Sequence, residues 1–319
     1  MATYNTGVFR GNGGASPDAL VPQPFVAQVI KELPRASTVL NQARRVPMST
    51  NTTRQPVLAV LPQAYWVSGD NGLKQTTTAE WKNVNLVAEE LAALVPVPNA
   101  YLDDSGIPIW DEIRPSLVEA IGNAFDAATL FGVNKPASWT SDDLYTAATS
   151  AGNTVQPGSE DPGVDVAKLG TLLARDGFAA TGFAAAPGFS WNLVGFRSAQ
   201  GVPVYQPNPA DTPGGKLYGY TLDEVMNGAW DASKASMIAA DWRKVITAVR
   251  QDITFTMHED GVISDDSGAV VYNAMQQDST IMRVVFRGAY ATANPVTRTN
   301  TTESTRSPFA VLGPMANLS

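Results

Sequence analysis

The chain has no cysteine in 319 residues and a single histidine, His258. Without thiols there is no disulfide, thiolate-bound metal, iron–sulfur cluster or cysteine nucleophile. One histidine removes multi-histidine metal sites, and a His-based triad would have to rest on His258 alone. Charge is scarce as well: 16% of residues are Asp, Glu, Lys or Arg, against about 25% in typical soluble domains. No apolar run approaches the roughly 20 residues of a membrane-spanning helix. The opening stretch MATYNTGVFRGNGG lacks the apolar middle of a secretory signal. These absences predict a chain that is made, and first stays, in the cytoplasm of its host and has no membrane partner. No dense Lys/Arg tract occurs, the net charge is −8 and the pI is near 4.7. Tight wrapping of nucleic-acid phosphate is therefore not expected.

Catalytic signatures are missing too. There is no Walker loop, no G-x-G-x-x-G after a strand and no G-x-S-x-G elbow. Neighbouring carboxylates stand at Glu89 and Glu90, Asp103 and Asp104, Asp142 and Asp143, and Asp265 and Asp266. A catalytic pair needs a cleft and opposed environments, which adjacency does not supply. These pairs are read as turns, caps and solvated faces. The run DGVISDDSG at 260–268 lacks the Asp-x-Asp-x-Asp-Gly spacing and the closing Glu of a calcium loop, and is read as a plain loop. His258 closes an alternating segment and is read as a strand-end polar residue. No catalytic residue, cofactor or metal is expected. The seven tryptophans are scattered and read as core or interface anchors.

What is present is a chain long enough for about two domains or one elaborated domain, with 44% hydrophobic residues to build a core. Residues 1–24 are rich in Gly, Pro and Asn and read as an extended arm. A short amphipathic helix follows at 25–33, stopped by Pro34. Residues 56–97 read as a long β-hairpin with its return leg from about 76 to 97. Asn71-Gly72 supplies the turn. Val84, Leu86 and Ala88 face one side of the return leg, Asn83 and Asn85 the other. So long a hairpin with so polar a tip is not expected to pack wholly on its own domain. The clearest helix covers 107–132, with Trp110, Ile113, Leu117, Ile121, Ala124, Phe125, Ala128 and Phe131 in one stripe. Asp103, Asp104 and Ser105 are its cap candidates, Asp111 and Glu112 suit its positive end, and Gly132 ends it. Pro115 predicts a kink or break near 113–115. Residues 134–240 mix short elements: a helix at 164–175, a strand at 178–186, a helix from Pro187 to about 197, and strands at 201–205 and 216–220. Alternation returns at 236–257, 281–287 reads as a strand, and 297–307 is a Thr/Ser-rich loop before Pro308-Phe309-Ala310-Val311-Leu312. An arm and an over-long hairpin make most sense if they lie on neighbouring copies of a self-assembling structural protein.

Several of these segments also carry a resemblance. Leu91-Ala92-Ala93-Leu94-Val95-Pro96-Val97-Pro98, then Asp103-Asp104-Ser105, then the helix ending Phe125-Asp126-Ala127-Ala128-Thr129-Leu130-Phe131-Gly132 resemble the tailed-phage major capsid proteins of the Hong Kong 97 type. Tyr65-Trp66-Val67 before a polar tip, Asp241-Trp242 before an alternating strand, Val284-Val285-Phe286-Arg287 and Pro308-Phe309-Ala310 follow that family's order to the end of the chain. No single motif is as specific as a metal signature; the ordered set carries the likeness.

The resemblance implies an α+β fold of the Hong Kong 97-like capsid type. Its divisions would be an N-terminal arm at 1–30, a first part of the P domain at 31–55, and an E-loop hairpin at 56–89. The P domain with its spine helix follows at 90–133, an A domain at 134–240, the return strands of the P domain at 241–296, and a C-terminal segment at 297–319 returning to the A domain. It implies a non-enzymatic shell subunit that forms pentamers and hexamers of an icosahedral head around double-stranded phage DNA, touching that DNA only weakly. Partners would be further copies of itself, a separate scaffolding protein or none, a portal and decoration proteins. Localisation would be the virion capsid, assembled in the host cytoplasm. Gly69, Asp70, Asn71, Gly72, Leu73 and Lys74 become candidates for an assembly interface. Some family members join subunits through an isopeptide bond between an E-loop lysine and a P-domain asparagine, helped by a glutamate. Lys74 and Asn273 are the positions to consider here. No Glu lies between Asn273 and Arg287, only Asp278, so no cross-link is expected. Two other readings stand beside this one: an encapsulin-like cargo compartment, and a cytosolic hydrolase using the carboxylate pairs.

Overall fold

The computed structural model describes residues 37–67, 73–104, 109–158, 162–195 and 215–315. The helix expected at 25–33, the strand expected at 201–205, and Gly69, Asp70, Asn71 and Gly72 lie outside the described residues. In chain order the first elements are α1 (Thr38–Gln42), β1 (Arg44–Pro47), β2 (Thr52–Val60), β3 (Glu80–Val87), β4 (Glu89–Pro98), α2 (Asn99–Asp104), α3 (Ile109–Phe131) and α4 (Leu144–Ser150). Then come β5 (Thr154–Val155), α5 (Pro162–Arg175), β6 (Gly182–Ala185), α6 (Phe189–Gly195), β7 (Lys216–Leu217), β8 (Tyr220–Glu224) and β9 (Met237–Ala240). The chain closes with β10 (Val245–His258), β11 (Val262–Ser264), β12 (Val270–Asn273), β13 (Ser279–Thr292) and β14 (Phe309–Leu312). It divides into two compact units. Unit 1 holds Met1–Leu33, Glu90–Ile121 and Gln251–Arg287; unit 2 holds Pro34–Glu89, Gly122–Arg250 and Gly288–Ser319.

Unit 1 is built on the outer stretches of three strands in the order β10, β13, β4. Asn99, just past β4, clamps the turn before β13. Its backbone N–H donates to the Asp278 carbonyl at 2.9 Å and its side-chain amide to Asp278 Oδ1 at 2.7 Å, while Thr280 Oγ1 donates to Asn99 Oδ1 at 2.8 Å. The first part of α3 belongs to this unit, where the Arg114 guanidinium lies over the Phe255 ring of β10. The calcium-like run is a hairpin rather than a bare loop. β11 and β12 pair antiparallel across it, and Ile263, Tyr272, Ala274 and Ile281 form a small core beneath. Asp265 Oδ1 at the tip accepts from Ser267 N, Ser267 Oγ and Ala269 N.

Unit 2 contains a six-stranded mixed sheet in the order β5-β14-β9-β6-β8-β7. Along its central strands Phe183, Ala185, Met237, Ala239, Ala310 and Leu312 join one core with Val166, Leu169 and Leu173 of α5 and Phe189 and Leu193 of α6. The alternate residues Ala184, Ile238, Ala240, Phe309 and Val311 are buried as well, so both faces are covered, as in sheets whose strands read as unbroken apolar runs. Several expected boundaries move here. The strand expected at 178–186 is only β6, the following helix is α6, and the strand expected at 216–220 is interrupted by a hairpin turn between β7 and β8. Tyr218 and Gly219, with φ of 52° and 85°, connect β7 to β8. That doubly left-handed turn matches the right-handed twist of the strands it joins.

The long helix α3 runs through Pro115 without interruption, so of the expected kink or break the break is absent. Proline at the seventh position removes one hydrogen bond near the N-terminal end and leaves the rest of the ladder intact. Asp103 and Asp104 do not cap α3; they end the separate helix α2, and Ser105 lies outside the described residues. The stripe is nearly as expected: Trp110, Ile121, Phe125, Ala128 and Phe131 are buried, but Ile113 and Leu117 are half-buried, Ala124 is exposed and Val118 is buried instead. Gly132 ends the helix at φ 69°, and a Cβ there would meet Asp143 Oδ1 at 2.7 Å. Asp143 in turn caps α4 by accepting from Thr146 N at 3.0 Å.

Candidate assembly interface

β2 and β3 form a two-stranded sheet of their own, from Thr52 opposite Val87 to Val60 opposite Glu80, with a register shift between Leu58 and Val60. One face is apolar: Val57 and Val84 pack on Leu86, Ala88, Met48, Ile246, Ala248 and Ala289. Asn83 and Asn85 point the other way and are exposed. The alternation read from sequence is therefore correct. The continuous return leg is not. Pairing with β2 stops at Val87, and Ala88 N turns aside to the Asn51 carbonyl at 2.9 Å. The chain then continues as β4 in a different sheet.

The root of the hairpin is tied down from several sides. Trp139 Nε1 donates to the Val87 carbonyl at 3.0 Å, and Ser138 Oγ to Glu89 Oε1 at 2.6 Å. Val296 N donates to the Leu58 carbonyl at 3.0 Å and Arg298 to that of Pro62 at 3.0 Å. Lys82 pairs with Glu303 at 2.8 Å; both are exposed, so this bridge adds little. Between the root and the segments 140–151 and 292–309 lies a hollow of about 430 Å³.

Past Val60 and before Glu80 the chain leaves the ladder. Residues 61–67 and 73–79 are in no strand, and all but Leu61 are exposed. Gln63 N donates to Thr77 Oγ1 at 2.8 Å, and Tyr65 OH to Gln63 Oε1 at 3.0 Å. A bare two-stranded ribbon is marginal in water. This one also presents Tyr65, Trp66, Val67, Leu73 and Trp81 to solvent, with Trp66 fully exposed and Leu73 93% exposed. Burying an aromatic ring removes about 150–250 Å² from water, which at about 25 cal/mol per Å² is roughly 4–6 kcal/mol per ring. Exposed apolar side chains gathered on one hairpin make it a candidate protein contact.

The remaining candidates are placed as follows. Leu73 and Lys74 are exposed on the hairpin in unit 2. Asn273 is in unit 1 at the end of β12, where its Oδ1 accepts from Met275 N at 3.1 Å and Gln276 N at 3.3 Å. Asp278 is exposed, with a φ of 45° and its carboxylate on Asn99. His258 is half-buried at the end of β10, its Nε2 3.2 Å from Thr256 Oγ1. Among the described residues no group of three or more His, Asp or Glu side chains could hold a metal ion, and no helix is long and apolar enough to cross a membrane.

A sequence profile of the phage capsid family matches residues 18–296. The chain belongs to that family. The major capsid protein of Klebsiella oxytoca phage phiKO2 is 24% identical over 290 residues, 86% of this chain and 64% of that protein. The chain thus spans less than two thirds of the length of this curated relative. Solved structures agree more fully. One from Microbacterium phage Oxtober96 superposes with a TM-score of 0.77 at 32% identity, covering 95% of this chain and 96% of its own. One from Mycobacterium phage Cain gives 0.78 at 31%, covering 88% and 90%. The fold is the Hong Kong 97-like capsid fold inferred from the ordered motifs.

Proposed function

We propose that this capsid-family chain is the major subunit of a phage head: a structural, non-enzymatic protein that assembles into an icosahedral shell around double-stranded DNA. The observation that carries this reading is the hairpin. It is rooted in a packed core through Val84, Leu86 and Ala88, yet it holds Trp66, Leu73 and Trp81 in water. A monomer gains nothing from that arrangement, whereas a neighbouring copy would bury it. On this reading 56–89 is the E-loop, 90–133 with 241–296 the P domain, and 134–240 with the C-terminal segment 297–319 the A domain. Gly69, Asp70, Asn71, Gly72, Leu73 and Lys74 reach the neighbour, and residues 1–30 are the arm. The head forms in the host cytoplasm, with portal, decoration and any scaffolding protein as further partners. Weak contact with packaged DNA follows from a net charge of −8. Expressed alone and separated by sedimentation, the chain is expected to form capsomers or megadalton shells visible in electron micrographs. A monodisperse monomer or dimer at all concentrations would refute the assignment.

A further inference from the structure

Charge is distributed very unevenly between the two units. The described residues of unit 1 carry twelve Asp and Glu against three Arg, a net of −9, and all twelve acids are exposed. The described residues of unit 2 carry fifteen Lys and Arg against twelve acids, a net of +3. The chain's modest overall charge therefore hides two units of opposite net charge. Like charges gathered on one unit repel one another and favour any arrangement that brings cations to them.

In unit 1 three of the twelve described acids are satisfied locally and nine are not, Glu112 and Glu119 among the nine. Asp265 takes the N–H and hydroxyl groups of its own turn, Asp278 takes Asn99, and Asp111 takes Arg114. Glu112 and Glu119 lie seven residues apart on the exposed edge of the rigid helix α3 and have no ion-pair partner among the described residues. In unit 2 two unmatched cations, Arg44 and Lys244, lie beside a matched one. Arg44, Arg243 and Lys244 line one hollow of about 170 Å³ at the hairpin root, beside Gln55 and Pro56. Arg243 is neutralised by a two-point contact with Asp241, at 2.8 and 3.2 Å. Arg44 and Lys244 have no carboxylate partner among the described residues.

We propose that the Arg44–Lys244 hollow of one copy receives the acidic edge of α3, Glu112 and Glu119, from a second copy, and that this charge pairing steers the subunits into register. This rests on the shell-subunit reading and names the polar half of its contact; the hairpin aromatics supply the apolar half. Complementary charge sets encounter rate and orientation more than final affinity. The effect should therefore appear in assembly rate and accuracy, and should fade as the screening length shrinks from about 10 Å at 0.1 M salt to about 3 Å at 1 M.

The test is a charge swap in the full-length chain, with assembly followed by light scattering and micrographs and folding by circular dichroism. Arg44→Glu with Lys244→Glu, and separately Glu112→Lys with Glu119→Lys, should each keep wild-type melting but slow assembly at least tenfold at 0.1 M salt. The fourfold variant, with both sets reversed, should regain most of the wild-type rate. Double variants that assemble like wild type, or a fourfold variant that stays as slow as either double, would overturn the pairing and leave the shell reading intact. So would a hollow that serves DNA instead: Arg44→Glu with Lys244→Glu would then assemble normally while losing retention of a fluorescent double-stranded oligonucleotide. A wild-type chain that never assembles sinks the shell reading itself, and this pairing with it.

Discussion

Ser37 Oγ donates to Asp126 Oδ1 at 2.6 Å, joining two residues 89 positions apart in the chain and both fully buried. The same carboxylate accepts from Thr38 N at 2.9 Å, Val39 N at 3.2 Å and Asn227 Nδ2 at 2.8 Å. Ser37 Oγ meanwhile accepts from Leu40 N at 3.1 Å, capping α1. One side chain of the long helix therefore fixes where the chain enters the fold and where the loop around Asn227 rests.

Removing that carboxylate leaves buried donors without partners. Each such donor costs about 1–3 kcal/mol, so Asp126→Ala should lower the unfolding free energy by at least about 3 kcal/mol, and Asp126→Asn by less. The pH dependence has a defined sign. Burial outweighs the hydrogen bonds from Ser37, Asn227, Thr38 and Val39 and pushes the Asp126 carboxyl up to about 6, from 3.8. Between those values the folded chain binds the proton more tightly than the unfolded chain. The group's contribution is fully present below about pH 3.8 and is lost as pH rises through about 6, by roughly 3 kcal/mol. Urea unfolding at pH 4 and at pH 7 should show this difference in the wild type relative to Asp126→Asn. A variant that tracks the wild type in parallel across that range would show that Asp126 is ionised throughout.

Phe125, next to Asp126, is fully buried and meets Trp139 edge-on with ring centroids 5.8 Å apart. Phe125→Ala should cost about 3–5 kcal/mol. Leu117, half-buried, should cost clearly less when cut to Ala. Denaturant midpoints rank the two directly, and equal losses would mean that Leu117 is covered in the folded chain after all.

The stripe through Ile121, Phe125 and Ala128 and the alternation of Val84, Leu86 and Ala88 were legible because each buries one face at a regular spacing. Gly132 was legible because a left-handed residue must close a long helix. The switch at Ala88 from one sheet to another was not, since the residues on both sides of it suit a strand equally well. Nor was the place of β14: Phe309, Ala310, Val311 and Leu312 are all buried, and a run without a polar face does not say which strands it lies between, here β5 and β9. The segment 297–307 was read as a plain loop. It is held by one distant residue and by its own ends: Asn300 Nδ2 donates to buried Asp176 and Thr297 Oγ1 to the Asp176 carbonyl, while buried Arg306 donates to Asn294 and Asn300. For Asp126 a signal was present: an acid flanked by Phe125 and Ala128 on the apolar side of the stripe is already out of place.

On the proposed reading, variants of the hairpin should separate folding from assembly. Trp139→Phe removes the donor to the Val87 carbonyl together with half of a buried indole, for an expected loss of about 1–3 kcal/mol and faster hydrogen exchange along β3. Deleting 69–74 removes no buried residue among those described. It should leave the melting temperature of the monomer nearly unchanged while impairing shell formation. A deletion that unfolds the monomer yet spares assembly would place the contact elsewhere.

Covalent locking through Lys74 and Asn273 is not expected. Forming an isopeptide bond requires an unprotonated amine to attack the side-chain amide, with a desolvated carboxylate taking the proton. Asn273 Oδ1 is occupied by the N–H groups of Met275 and Gln276, so the amide is committed to holding its own turn. Asp278, the only acid between Asn273 and Arg287, is exposed to water and hydrogen-bonded to Asn99. Shells boiled in detergent should therefore run as a single band near 33.8 kDa, held until then by buried apolar surface and paired charge alone. A ladder of covalent oligomers that disappears in Lys74→Ala would show that another subunit supplies the missing base and turns the Asn273 amide toward it.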